Sequence, residues 1–138
     1  MRNAIISKNF SKFAEITMAD SNDLHAICNE TEIFYLNHTS KFIIQIIESI
    51  NSIFGQAVCA YSFDAGPNAF LFTTLSHLEF VLNTMNFIFG LSTDKPNTEK
   101  ENLNKYIEQA RKNAEDNKFE IKELVNFKIG SGIKVIKK

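Results

Sequence analysis

Isoleucine side chains recur every three or four residues between Ser40 and Phe54, and this spacing predicts a helix with one apolar face. Thr39 or Ser40 is expected to cap its first turn, and Gly55 is expected to end it in a left-handed conformation. Because β-branched residues are weak helix formers, packing has to stabilise this helix. The apolar positions are Ile43, Ile46, Ile47, Ile50 and Ile53. The segment is therefore predicted to be a core helix.

A second helix is predicted from His77 to Phe89 by the residues at its two ends. Ser76 and Glu79 have the S-x-x-E spacing of a capping box, in which each side chain bonds the backbone of the other's turn. Gly90 follows the last apolar residue and is expected to close the helix.

Helical regions are also predicted near the N-terminus, at 3–27 with a break close to Asn9, and in the charged segment at 100–117. The run Asp-Ser-Asn-Asp at 20–23 is a poor helix interior, because short polar side chains compete for backbone hydrogen bonds. A kink or an internal cap is expected there.

Strand-like runs rich in β-branched and aromatic residues occur at 57–63 and 69–73, and the turn-forming run from Asp64 to Asn68 links them. Near the chain end, the apolar residues at 119, 121, 125, 127 and 129 all fall on odd-numbered positions, which predicts a half-buried strand. A turn at 130–132 and a last short strand at 133–135 are predicted to follow. Helices intermixed with antiparallel-type strands predict an α+β sandwich, with helices packed on one face of a small antiparallel sheet.

The length and composition bound the function. At 138 residues the chain is expected to be one domain, and its net charge of -1 argues against binding nucleic acid through phosphate neutralisation. The run at 68–72 faintly resembles the aromatic strand motif of RNA-recognition domains, without that motif's leading basic residue and glycine.

Cys28 and Cys59 fit neither a C-x-x-C motif nor a disulfide framework. With no apolar run of roughly 18 residues and no signal-peptide pattern, no membrane partner and a cytoplasmic location are expected.

Asp64 is the first candidate for a reactive side chain, because it opens the loop between the two predicted strands. Gly66 lets the backbone approach a ligand closely, and Pro67 fixes the shape of the loop. The alternative is an Asx turn, in which the Asp64 carboxylate bonds the backbone near Gly66. Spacing alone favours that alternative.

The polar run Asp20-Ser21-Asn22 is a second candidate for binding a ligand, and the sequence favours the competing interpretation, a helix kink or a cap. His25 lies one turn after Ser21, and a histidine that packs or hydrogen-bonds within the fold is the favoured interpretation. His25, His38 and His77 have no metal-ligand spacing among themselves or with the cysteines, so no metal site is expected.

Several blocks in order along the chain resemble diphosphomevalonate decarboxylases. Residues 17–22, followed by His25, resemble that family's T-M-x-D-S-N-x-x-H segment. Residues 33–37 read I-F-Y-L-N, as in the family just before a long helix. Residues 60–69 read A-Y-S-F-D-A-G-P-N-A, against A-Y-T-F-D-A-G-P-N-A in the family, and the I-G-S-G run at 129–132 follows in the expected order.

The resemblance implies the C-terminal domain of a GHMP kinase superfamily member, a ferredoxin-like sandwich spanning residues 1–138. The family enzyme uses ATP and Mg²⁺ to phosphorylate the 3-hydroxyl of mevalonate 5-diphosphate. The phosphate then leaves together with CO₂, which gives isopentenyl diphosphate. This is a step of the mevalonate route to isoprenoids and sterols.

The same resemblance implies roles for particular residues. Asp64 matches the family's catalytic aspartate, beside the hydroxyl that is phosphorylated. The substrate-binding loop would consist of Ala65, Gly66, Pro67 and Asn68. The further candidates for lining the site are Ser21, Asn22 and His25.

The family's N-terminal ATP- and phosphate-binding domain has no counterpart in these residues, because no glycine-rich run here could cradle a triphosphate. Neither ATP nor Mg²⁺ is therefore expected to bind this domain alone, and the isolated domain is expected to be inactive. A homodimer, as is common in the family, stays open. So do two alternatives: another GHMP small-molecule kinase (phosphomevalonate decarboxylase or mevalonate kinase-like), or a non-catalytic stand-alone remnant of the domain.

Overall fold

The computed structural model describes residues 1–127 as five α-helices and one two-stranded antiparallel sheet. In chain order the elements are α1 (Arg2–Ile6), α2 (Phe10–Glu30), α3 (His38–Phe54), β1 (Cys59–Phe63), β2 (Ala69–Thr73), α4 (Leu75–Ile88) and α5 (Glu101–Asn117).

The isoleucine-rich helix is confirmed as α3, but the prediction for its N-cap is wrong. The cap is Asn37, whose Oδ1 accepts a hydrogen bond from the backbone N–H of Ser40 at 2.8 Å. Asn37 has the extended backbone that an N-cap requires, and asparagine is as strongly preferred at an N-cap as serine is. Gly55 ends the helix with φ of 71°, as expected.

The helix α4 starts earlier than predicted, and the capping box is absent. Thr74 is the N-cap, so Ser76 and Glu79 lie inside the helix rather than at cap positions. The Ser76 hydroxyl lies 2.8 Å from the Thr74 hydroxyl and makes no cap bond to the backbone. Gly90 follows the helix with φ of 70°, which confirms it as the stop.

The N-terminal region is broken where the sequence predicted, but only there. Asn9 separates α1 from α2, and its side chain accepts a hydrogen bond from the Lys12 N–H. The expected kink or cap at 20–23 is wrong, because α2 continues through that run without interruption. Contacts with β1, described below, override the weak local propensity of these residues.

The predicted strand at 119–129 is wrong over its described part, since residues 119–127 contain no strand. The ring of Phe119 instead packs on Phe42 of α3, with centroids 4.8 Å apart, and Ile121 and Leu124 also contact the core. Alternating apolar residues suit a segment that lies extended over a core as well as they suit a strand. The predicted turn at 130–132 and short strand at 133–135 lie outside the described residues.

The helices α3 and α4 pack against one face of the sheet and α5 packs on these two helices, which confirms the α+β class. Alternate residues of β1, namely Cys59, Tyr61 and Phe63, share that face and are fully buried in it. Their helical partners in the core include Ile46, Ile47, Ile50, Met85, Ile88, Leu103 and Ile107. The sheet is a hairpin in which Phe63 is opposite Ala69, so the loop 64–68 lies at one end of it.

The long helix α2 packs along β1, and near its start Phe13 meets Phe72 of β2 edge-on. This placement brings the polar residues in the middle of α2 next to the end of β1. Across residues 1–127, no helix combines the length and the apolar content that crossing a membrane requires.

Candidate active site

The loop between β1 and β2 presents its side chains to solvent. Asp64, Ala65, Pro67 and Asn68 are exposed, and Gly66 is half-buried. The Gly66 N–H donates a 2.8 Å hydrogen bond to the backbone carbonyl of Asp64, which makes the turn tight. The turn therefore closes through the backbone. The Asx-turn alternative, in which the Asp64 carboxylate closes the turn, is wrong. Within residues 1–127 the carboxylate of Asp64 makes no hydrogen bond or ion pair.

Two side chains of α2 hold the residue that precedes this aspartate. The Ser21 hydroxyl accepts a hydrogen bond from the Phe63 N–H at 3.0 Å, and the His25 Nε2 lies 3.1 Å from the Phe63 carbonyl oxygen. Because a carbonyl oxygen only accepts, Nε2 of His25 must carry the proton. The two residues are four apart and thus share one face of α2, where both are buried.

The far end of the loop is fixed by α3. The Ser40 hydroxyl, in the first turn of that helix, lies 3.1 Å from the carbonyl oxygen of Pro67 and donates to it. Sequence analysis missed this role of Ser40, since the two residues are 27 positions apart and no local pattern joins them. The loop is thus anchored on both sides of its exposed aspartate.

Asn22 does not point to the loop, unlike its neighbour Ser21. Its amide donates to the Tyr61 hydroxyl at 3.1 Å, and this hydroxyl in turn donates to the Glu48 carboxylate at 3.0 Å. Burial raises the pKa of Tyr61, the Asn22 hydrogen bond lowers it, and the nearby Glu48 carboxylate raises it further. The phenol therefore stays protonated, and it ties α2 to α3 across β1.

The described residues do not form a metal site. In residues 1–127, no three His, Cys, Asp or Glu side chains lie close enough together to hold a metal ion. His77 contacts the Thr74 hydroxyl with its Nδ1, at the opposite end of the hairpin from Asp64. A surface cavity of about 490 Å³ opens beside the start of α3, and its lining contains no residue of the 64–68 loop.

Comparison with known proteins identifies the chain. Residues 1–136 match the family described as mevalonate 5-diphosphate decarboxylase C-terminal domain. The chain belongs to this family. It is 40% identical over 126 residues to the diphosphomevalonate decarboxylase of Saccharomyces cerevisiae, which covers 90% of this chain and 31% of that protein. It is 47% identical over 87 residues to the enzyme of Schizosaccharomyces pombe, covering 62% of this chain and 22% of that protein.

Solved structures give the same family. A crystal structure of a mevalonate 5-diphosphate decarboxylase matches 94% of this chain and 32% of its own chain, with a TM-score of 0.62 and 34% identity. The mevalonate diphosphate decarboxylase from Trypanosoma brucei matches 61% of this chain and 23% of its own, with a TM-score of 0.59 and 36% identity. The chain thus spans between about a fifth and a third of the length of these relatives. The comparisons support the C-terminal fold of the GHMP kinase superfamily.

Proposed function

We propose that this chain forms the C-terminal side of the active site of an ATP-dependent diphosphomevalonate decarboxylase, with Asp64 as its catalytic residue. The observation that carries the proposal is the geometry of the loop. Its aspartate is exposed and unengaged within the described residues, while the residues on either side, Phe63 and Pro67, are hydrogen-bonded to two different helices. A rigid scaffold that presents one exposed carboxylate suits a catalytic group better than a structural one.

In this reaction the 3-hydroxyl of mevalonate 5-diphosphate attacks the terminal phosphate of ATP and ADP leaves, after which the phosphorylated intermediate loses phosphate and CO₂. The substrate's carboxylate leaves as CO₂, and its bonding electrons form the double bond of isopentenyl diphosphate as the phosphate departs. A carboxylate is a much weaker base than an alkoxide, so Asp64 does not remove the hydroxyl proton beforehand. It orients the hydroxyl and accepts the proton as the bond to phosphorus forms, because a loose transition state asks little of the nucleophile early on.

Ser21, His25 and Ser40 act as positioning residues, because they bond the backbone around Asp64. Each of them fixes a peptide group next to the loop, so the carboxylate can keep one place relative to the substrate. The other loop residues, Ala65 to Asn68, would shape the wall around the hydroxyl. Asn22 acts further away, through Tyr61.

The sites that bind ATP and Mg²⁺ would lie in a part of the enzyme outside these residues. The described side chains do not fit a Mg²⁺ site, and no glycine-rich phosphate loop is present in the sequence. ATP and Mg²⁺ would be held by an N-terminal domain, a partner of this one, and the isolated domain would be inactive. A cytoplasmic location fits substrates that are soluble and highly charged.

The test compares this chain alone with the chain produced together with the N-terminal remainder of the S. cerevisiae relative. The readout is ATP-dependent release of CO₂ from mevalonate 5-diphosphate with Mg²⁺ present. We expect release only when both parts are present. A folded pair of parts that assembles and releases no CO₂ contradicts the proposal and favours a non-catalytic remnant, and a preference for mevalonate 5-phosphate would instead identify a phosphomevalonate decarboxylase.

A further inference from the structure

We propose that Leu24, Ile27, Ile33 and Phe34 form the surface on which the N-terminal domain of the decarboxylase docks. We call these four side chains the Phe34 surface. The inference rests on the proposed function, because it names the contact that would complete that active site. It adds which face of this domain makes the contact.

The four residues lie within the last two turns of α2 or just beyond its C-terminal end. Leu24 and Ile27 are three residues apart and therefore lie on the same side of the helix. The chain then turns through Glu32, which has φ of 59°, and the Ile33 N–H donates a 2.9 Å hydrogen bond to the Cys28 carbonyl. This helix-ending motif folds Ile33 back against the last turn of α2, and Phe34 follows it.

The Phe34 surface borders the loop that carries Asp64. The ring of Tyr35 meets the ring of His25 edge-on, with centroids 6.3 Å apart, and His25 bonds the backbone of Phe63. Three residues after Phe34, Asn37 caps α3 at the point where Ser40 reaches Pro67. The segment 33–37 therefore passes both anchors of the loop.

Packing within residues 1–127 does not account for the presence of Phe34. In the I-F-Y-L-N segment, Tyr35 packs on His25, Leu36 joins the core and Asn37 caps a helix. Phe34 is 72% exposed, and Ile27 is 62% exposed. Grouped apolar side chains that stay in water are typical of a surface that another protein covers.

The occupant follows from the comparisons and from the charges around the surface. The matched family is a C-terminal domain, and the S. cerevisiae match covers 31% of that protein, so most of each relative precedes this domain. To share a site with Asp64, that preceding part must contact the surface next to the loop. Exposed acidic residues lie close to these four positions along the chain, so the docking face should be apolar with a basic rim. These acidic residues are Asp20, Asp23, Glu30 and Glu32.

The experiment measures the association of this chain with the co-produced N-terminal remainder of the S. cerevisiae relative, by sedimentation of a dilution series. The double variant Ile27→Ser, Phe34→Ser should weaken association by about tenfold or more, as loss of an aromatic anchor does at interfaces. The matched control is Leu75→Ser, which changes a side chain that is 78% exposed at the other end of the hairpin. We expect this control, and also Asp64→Asn, to associate like the unaltered chain.

Three results would overturn the inference: no association of the unaltered chain, equal association of the double variant, or self-association of the chain that the same two substitutions abolish. The last would make a second copy the occupant. Circular dichroism establishes that each variant is folded, and Phe34→Ser alone replaces the double variant if that one unfolds. Association without CO₂ release would contradict the proposed function and leave the docking surface standing.

Discussion

The Nε2 atom of His25 lies 3.1 Å from the carbonyl oxygen of Phe63, the residue directly before Asp64. This bond joins a buried helix side chain to the peptide that sets the direction of the exposed carboxylate. With Ser21 on the N–H of the same residue, both polar groups of the Phe63 backbone are bound by α2. Within residues 1–127, β1 pairs only with β2, and these two backbone groups are satisfied by side chains of α2.

Two replacements of His25 distinguish the effect of its hydrogen bond on activity from the effect of its side-chain volume. We predict that His25→Leu lowers kcat of the assembled enzyme by roughly tenfold to a hundredfold, because a carboxylate displaced by about 1 Å loses that much. Substrate KM should change little. The matched variant His25→Gln can still donate an N–H to the Phe63 carbonyl, so it should restore most of kcat.

The measurement is steady-state CO₂ release, with thermal unfolding of each variant as the check on folding. A merely structural histidine would behave differently. In that case, both variants would lose stability and activity in parallel, and glutamine would bring no selective recovery of kcat.

Lys118 ends α5 in the left-handed conformation, with φ of 53°, which disfavours any side chain with a Cβ. We predict that Lys118→Gly raises the free energy of unfolding by about 0.5 to 1 kcal/mol. The control Lys112→Gly, at an exposed position inside the same helix, should lower it by about 1 kcal/mol. Urea unfolding of the two variants tests the pair, and equal effects of the same sign would contradict this account of the helix end.

Burial raises the pKa of the Cys59 thiol from 9.0 to about 12. The unfolded chain releases this proton near pH 9 and the folded chain retains it, so the stabilising contribution is full below pH 9 and is lost as the pH rises toward 12. We predict that the free energy of unfolding falls with pH over that window. Cys59→Ala should flatten the fall, whatever its effect on stability at neutral pH.

The same burial makes the thiol unreactive at pH 8, where a thiolate would be the nucleophile. Iodoacetamide should then alkylate the half-buried Cys28 in the folded protein and leave Cys59 unmodified. Peptide mass spectrometry distinguishes the two sites. Fast modification of Cys59 in folded protein would show that β1 is less protected than its packing implies.

Elements with a strong local signal were predictable from the sequence. The spacing of Ile43 to Ile53 and the glycine at 55 gave α3 to within two residues of its start, and the strand at 69–73 has the predicted bounds. The run at 20–23 led to a wrong prediction of a kink or cap. Short polar residues disfavour a helix locally, but Ser21 is held by a hydrogen bond from Phe63, 42 residues away. Local propensity carries no information about such a partner.

The candidate site divides in the same way. The turn-forming residues at 64–68 marked the loop, and the family resemblance marked Asp64 within it. Neither indicated that Ser40 holds the far end of the loop or that Asn22 faces Tyr61. Those contacts depend on how α2 and α3 pack against β1, which only the three-dimensional arrangement determines.

The most direct test of the central claim is kcat for CO₂ release by the assembled enzyme with Asp64→Asn, set beside Asp94→Asn, an exposed aspartate on the loop after α4. Asparagine keeps the size and the surroundings of Asp64 but cannot accept the hydroxyl proton as a carboxylate does. We predict that Asp64→Asn loses activity by roughly a hundredfold to ten-thousandfold, the range for removal of a general base, with unchanged thermal stability. Asp94→Asn should behave like the unaltered protein. Full activity of Asp64→Asn would contradict the account.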